Sequence, residues 1–307
     1  MNLLAIDWTV DPAIFSPWGF EIRWYGLLFA VSFFLGYQIV QKMFKREGED
    51  LKQLDKLLVY VLIATVVGAR LGHVFFYDWD SYKDDLWSIL NIRQGGLASH
   101  GAAITIILSL LIFSKRILKG KPVLWIFDRV VPSIALAAFF IRIGNLFNHE
   151  IMGTVTNGWG FRFLRWDGNR PYDQVDMSTL PVRHPAQLYE ALCYLLIFGI
   201  LMWLYYKRKA YTRPGLLIGL FLTLLFTARF FVEFIKEHQT ETFSESAVLN
   251  MGQYLSIPCV LLGLFFVIRS FKHEVPDLAE AYQKKLLEQP PEDSNGSNSD
   301  AGNKSSD

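Results

Sequence analysis

The stretch GLLIGLFLTLLFTARFFVEFI, residues 215–235, decides the fold. It is apolar for most of its length and lacks the period-2 alternation of a barrel strand. As a helix rising about 1.5 Å per residue it crosses a hydrocarbon core of about 30 Å. Six further stretches share this character: residues 24–43, 57–77, 97–113, 123–146, 186–206 and 252–268. Only helices or closed barrels satisfy their backbone polar groups inside lipid. The pattern therefore predicts an all-α, polytopic membrane protein with seven transmembrane helices.

Composition agrees. Of 307 residues, 52% are hydrophobic and 19% charged, too apolar for a soluble domain of this length. A net charge of +1 gives no pull toward nucleic acid, so any attraction for anions must come from locally placed arginines. Cys193 and Cys259 sit inside apolar runs and read as packing residues, not as a disulfide or metal pair. The first apolar run carries Arg23 and shows no small-residue cleavage site, so no signal peptide is read; that helix itself would target the chain.

Lysine and arginine orient the helices. Lys42, Lys45, Arg46, Lys52 and Lys56 follow the first helix, Lys115, Arg116, Lys119 and Lys121 the third, and Lys207, Arg208, Lys209 and Arg213 the fifth. The intervening connections are sparser, which places the N-terminus outside and the C-terminus inside. The seven-helix membrane domain then spans 1–276, with residues 147–185 as a small cap on the outer face, because connections of this length are commonly functional. Residues 277–307 form a cytoplasmic tail: a short amphipathic helix, then from about 289 a Pro, Ser, Asn, Gly and Asp sequence too polar to fold.

With this orientation, polar residues of every helix fall at one depth, toward the outer face: Tyr25, Arg70, His100, Arg142, Asn145, Gln187, Glu190, Arg229, Glu233, Asn250 and Gln253. Any one of them reads equally well as a snorkelling or helix-bridging residue. Ionisable groups in hydrocarbon are costly, however, and a set agreeing in depth marks a polar cavity. Arg142, Asn145 and Asn148 share a helix face, as do Arg229 and Glu233, which predicts an Arg229–Glu233 pair. The arginine fork matches phosphate oxygens, so a phospholipid headgroup suits the cavity. Glu190 and Glu233 would brace the arginines. His100, beside Gly95, Gly96 and Gly101, could take a proton, although a lone interfacial histidine is more often a packing residue. No HExxH or paired-cysteine pattern occurs, so no metal or other cofactor is expected. The absence of G-x-S-x-G argues against a serine acyl-enzyme, and the nucleophile would come from a second substrate.

Six strings make the reading specific. IRIGNLFNHEIMG (141–153) resembles the signature of the bacterial prolipoprotein diacylglyceryl transferases. RWYGL (23–27), GGLASHG (95–101), HPAQLYE (184–190), RFFVEF (229–234) and MGQYLSIP (251–258) resemble the family's other marked segments, in the family's order. The likeness runs from about residue 12 to 264. Departures are Ile141, Leu146 and His149 within the signature, and IKEHQTETF after Glu233, where the family often has an arginine followed by Pro-Asp and this chain offers Lys236.

The resemblance implies an enzyme of the bacterial inner membrane, with its active site toward the outer leaflet and no cofactor. It would move diacylglycerol from phosphatidylglycerol to the lipobox cysteine of a prolipoprotein signal peptide, making a thioether and releasing glycerol phosphate. His100, Arg142 and Arg229 would be catalytic. Tyr25, Arg142, Asn145, Asn148, Glu150, Gly153, Glu190, Arg229 and Glu233 would bind or position substrate. Two other classes are weighed against this: a seven-helix transporter or receptor for an anionic solute, for which no internal repeat is evident, and a scaffold, which leaves Arg142 and Arg229 without a reason to be buried.

Overall fold

The computed structural model describes residues 5–16, 21–91, 96–164, 175–237 and 249–288. Gly95, the loop at 238–248 and the tail from 289 lie outside the described residues.

The helices are α1 (Trp24–Glu47), α2 (Leu51–Tyr77), the single turn α3 (Trp79–Tyr82), α4 (Ser99–Arg116), α5 (Val123–Phe147), α6 (Ala186–Lys207), α7 (Leu216–Val232), α8 (Met251–Ser270) and α9 (Leu278–Glu288). A helix therefore stands at each of the seven apolar stretches. Six of these, all but α4, are long and apolar enough to cross a membrane, counting the 3₁₀ turn that extends α7 to Ile235. The 18 residues of α4 begin with Ser99 and His100 and end with Lys115 and Arg116, and these polar ends lower the mean hydropathy of so short a helix.

Local sequence sets the boundaries. α1 stops where Gly48 turns left-handed at φ 71° and donates to the Lys45 and Phe44 carbonyls. Asp50 starts α2 by accepting from Lys52 N at 2.9 Å. α8 opens on a reciprocal capping box between Asn250 and Gln253.

α5 is the central helix and packs against α1, α4, α6 and α7. Elsewhere small residues bring backbones together, as expected where lipid offers no hydrophobic drive to association. A Cβ added at Gly72 on α2 would lie 2.6 Å from Gly101 Cα on α4, and one at Gly263 on α8 would lie 2.5 Å from Thr223 Oγ1 on α7. Outward, α2 exposes Val59, Leu62, Ile63 and Val66, a face suited to hydrocarbon.

Among the described residues four short strands accompany the helices: β1 (Ala5–Trp8), β2 (Ala13–Phe15), β3 (Ile22–Arg23) and β4 (Gly160–Phe163). β1 pairs in parallel with β4, Ala5 opposite Gly160 and Trp8 opposite Phe163. The N-terminal segment thus folds onto the 147–185 insertion. Trp8 stacks on Phe161, and its indole Nε1 donates to the Leu146 carbonyl at 2.9 Å, tying the layer to the end of α5.

A second buried polar cluster lies at the opposite end of the bundle. Arg129 grips Glu47 through two nitrogens, at 2.7 and 3.1 Å, and Tyr205 donates to the same carboxylate at 2.5 Å. Asp128 accepts from the amides of Gly215 and Ile218 and so caps α7 from a neighbouring helix. The apolar run of the first helix ends at residue 43, but α1 continues one turn further, which buries Glu47.

Candidate functional site

α5 ends at Phe147, and the chain then makes a tight turn in which two non-glycine residues are left-handed, His149 at φ 57° and Ile151 at φ 61°. Such backbone persists only where its surroundings enforce it. Here buried His149 bonds through Nε2 to the Val10 carbonyl at 2.8 Å and rests edge-on against Phe163. The turn swings Glu150 back over the helix end. Its Oε1 accepts from Asn145 Nδ2 at 2.8 Å and from Asn148 Nδ2 at 3.1 Å. The spacing of Arg142, Asn145 and Asn148 thus places them on one network, which Arg142 joins by donating to Asn145 Oδ1 at 3.2 Å. Gln187 of α6 closes it by donating to the Glu150 carbonyl at 2.7 Å.

Arg142 is also clamped from α6. Its Nε lies 2.8 Å from Glu190 Oε2, and Tyr194, one helical turn along, interacts electrostatically with the same guanidinium. Glu190 is fully buried, and its other oxygen lies 3.2 Å from Lys236 Nζ. One carboxylate therefore serves two cations. Tyr25 packs over Gly144, where an added Cβ would lie 2.7 Å from the Tyr25 ring, and it interacts electrostatically with Glu150 and Arg142.

Arg229 differs from Arg142. Among the described residues it has no carboxylate partner and no side-chain hydrogen bond. It shares its electrostatic neighbours with Arg142, since both act on Tyr194 and on Lys236. The predicted Arg229–Glu233 pair is not formed. Regular helix ends at Val232 and Glu233 begins a 3₁₀ turn, so the i, i+4 alignment is lost. Glu233 lies instead 3.7 Å from Lys236, over Gly252, where an added Cβ would come within 2.7 Å of both carboxylate oxygens.

Gly153 sits where three segments converge. A Cβ there would lie 2.6 Å from the Ile235 carbonyl oxygen and 2.7 Å from His184 Cβ. Its amide donates to the His184 carbonyl at 2.8 Å, and Thr154 N donates to Ile235 O at 2.8 Å, which fixes the approach of Lys236. Burial holds the Lys236 ammonium below the usual lysine range; Glu190 and Glu233 oppose this, while Arg142 and Arg229 add to it.

Not every predicted residue joins this cluster. His100 is exposed at the start of α4 and meets the rings of Tyr77 and Phe76 at 5.3 and 5.6 Å. No contact among the described residues ties it to Arg142 or Glu190. Arg70 is absorbed by backbone: its guanidinium donates to the carbonyls of Ile89 at 2.7 Å, Asn91 at 3.0 Å and Ser88 at 3.1 Å, and so pins the connection between α2 and α4. Asn250 and Gln253 cap α8 and bond to the Glu233 and Phe230 carbonyls at the end of α7. Two members, Lys236 and Tyr194, were not among the predicted site residues. A lone lysine in a sparse connection was the available signal for the first; the helical spacing from Glu190 was the signal for the second. No three His, Cys, Asp or Glu side chains gather as a metal site among the described residues.

Comparison with known proteins gives a consistent answer. Residues 12–269 match the family model described as prolipoprotein diacylglyceryl transferase. A protein of Porphyromonas gingivalis named phosphatidylglycerol–prolipoprotein diacylglyceryl transferase is 46% identical over 277 residues, covering 88% of this chain and 96% of that protein. Proteins of the same name from Tolumonas auensis and Chloroherpeton thalassium are 42% and 40% identical, each covering 87% of this chain and 98% and 95% of their own length. The match takes in the Arg142 network, Glu190, Arg229 and Lys236, and by it this chain belongs to the prolipoprotein diacylglyceryl transferase family.

Proposed function

We propose that this chain transfers the diacylglyceryl group of phosphatidylglycerol to the lipobox cysteine of a prolipoprotein, making a thioether and releasing glycerol phosphate. The observation that carries the reading is the contrast between two half-buried arginines around one buried carboxylate and lysine: Arg142 held by Glu190 and Asn145, and Arg229 without an anionic partner among the described residues. A phosphate diester supplies the missing anion, and a guanidinium fork matches its oxygens.

In the proposed reaction the cysteine thiolate attacks the glycerol carbon that bears the phosphate. The S–C bond forms, the C–O bond breaks, and the electron pair leaves on the phosphate of glycerol phosphate. Arg142 and Arg229 stabilise that growing charge as preorganised donors. Lys236 adds a third positive group through Glu190. The thiol proton goes to a base, since the thiolate is the reactive form. His100, exposed beside Tyr77 at the start of α4, is the candidate for that role. Tyr25, Asn145, Asn148, Glu150 and Glu233 position the arginines and the headgroup, and Gly153 lets the three segments approach.

In this reading α4 is the seventh span, the N-terminus is outside and the C-terminus inside. The paired strands then lie in the outer cap, and the reaction occurs at the outer leaflet of the bacterial inner membrane. The lysine- and arginine-rich connections support that orientation. The transporter reading gains nothing from the family match.

The decisive assay mixes purified protein with phosphatidylglycerol and a lipobox peptide and weighs the peptide by mass spectrometry. A gain of one diacylglyceryl group on the Cys peptide, absent with its Ser variant, is the expected result. No gain from folded protein across several lipid donors would refute the proposal.

A further inference from the structure

At the end of the bundle opposite Arg142 a crevice of about 750 Å³ opens between the last turn of α6, the α6–α7 connection and the end of α8. That volume lies within the range of small-molecule sites, roughly 300–1,000 Å³. Its lining is of two kinds. Leu204, Leu220 and Val267 come from within α6, α7 and α8, and the cations Lys207, Arg208, Lys209 and Arg213 come from the end of α6 and the α6–α7 connection.

Those cations are unequally engaged. Lys209 pairs with Asp277 at 2.9 Å and also with Glu280, and Arg213 lies 3.7 Å from Glu274. Lys207 and Arg208 have no carboxylate partner among the described residues, and the Arg208 guanidinium lies over the ring of Trp203 at 5.2 Å. The crevice thus holds four cations against three carboxylates, a surplus of one positive charge.

We propose that this crevice binds one phospholipid with a single net negative charge, its phosphate at Lys207 and Arg208 and an acyl chain along Leu204, Leu220 and Val267. A free phosphate would leave the apolar lining uncovered, and a zwitterionic lipid would leave the surplus charge unmatched. Basic pockets between transmembrane helices at a membrane surface take anionic headgroups in this way. The site is separate from the Arg142 cluster and does not depend on the transferase reading. In the orientation given above it faces the inner leaflet.

Native mass spectrometry of the full-length protein, titrated with phosphatidylserine and with phosphatidylcholine of the same chains, tests the assignment. The wild type is expected to retain one more phosphatidylserine than the Lys207→Gln/Arg208→Gln variant, whose affinity for that lipid falls roughly tenfold or more. Phosphatidylcholine should not distinguish the two, and Arg142→Ala should keep the extra lipid. Equal retention of phosphatidylserine by wild type and double variant, or equal affinity of the wild type for both lipids, would overturn it. Should the double variant fail to fold, quenching of half-exposed Trp203 by brominated lipids, taken as the difference between wild type and Trp203→Phe, replaces it. Stronger quenching by brominated phosphatidylserine than by brominated phosphatidylcholine supports the site, and equal quenching rejects it.

Discussion

Arg142 Nε lies 2.8 Å from Glu190 Oε2, and the carboxylate that receives it is completely buried. Glu190 also holds Lys236 at 3.2 Å, so it determines where two of the three cations near the site can stand. Glu190→Gln preserves the shape and removes the charge. It should lower kcat by about 10²–10³-fold, the usual loss when a preorganised electrostatic element is removed, with a smaller change in KM. Steady-state transfer assays measure both; a wild-type kcat would mean that Arg142 needs no clamp.

The two arginines should respond differently to removal. Arg229→Ala leaves no buried carboxylate behind, so it should abolish transfer without lowering the melting temperature. Arg142→Ala strips Glu190 of one of its two cations and frees Asn145, and a buried charge that loses its partner is destabilising. That variant should lose both activity and thermal stability. Thermal melts in detergent alongside the transfer assay separate the cases; equal stability losses would contradict the difference in pairing.

Lys236 gives a pH signature. Burial lowers its pKa, so its positive charge is present at low pH and is lost, as pH rises, earlier than for an ordinary lysine. If that charge assists the departing phosphate, the wild-type rate falls on the alkaline side through the depressed lysine pKa. Lys236→Arg keeps its charge at all accessible pH and should remove or displace that limb, while Lys236→Ala should be slow throughout. An unchanged alkaline limb in Lys236→Arg would assign it to another group.

Gly153→Ala should act through packing. The added methyl meets the Ile235 carbonyl oxygen at 2.6 Å and His184 at 2.7 Å, and the first of these is backbone that cannot turn aside. Overpacking of this kind costs about 1–3 kcal/mol. Melting temperature and activity should fall together; a stable but inactive protein would indicate direct contact of Gly153 with substrate.

At the opposite end, Glu47→Gln removes the charge that Arg129 holds through two nitrogens, leaving a guanidinium buried without its counterion. A loss of about 3–5 kcal/mol is expected for a broken buried pair. The residual folded enzyme should keep its KM, because the Arg142 cluster lies at the far end of α5. A changed KM with unchanged stability would reverse that assignment.

Sequence by itself determined the helical elements and the order of the polar residues along them. Runs of apolar residues long enough for a hydrocarbon core announce themselves locally, and α1, α5 and α6 begin at the residues where those runs begin. Helical spacing likewise placed Arg142, Asn145 and Asn148 on one face, where the structure links all three to Glu150, directly or through Asn145.

Tertiary structure decided which polar groups meet. Glu233 leaves Arg229 because α7 tightens into a 3₁₀ turn. Glu150 folds back because His149 is held left-handed by Val10, a residue far away in the chain. Lys236 reaches Glu190 because Gly153 lets the segments around Ile235 and His184 converge. Arg70 and His100 are polar residues of α2 and α4, but one is spent on loop carbonyls and the other lies against aromatic rings. Periodicity is a property of neighbours within one helix, whereas each of these pairings depends on where several chain segments close on one another, and no short stretch of sequence encodes that distance.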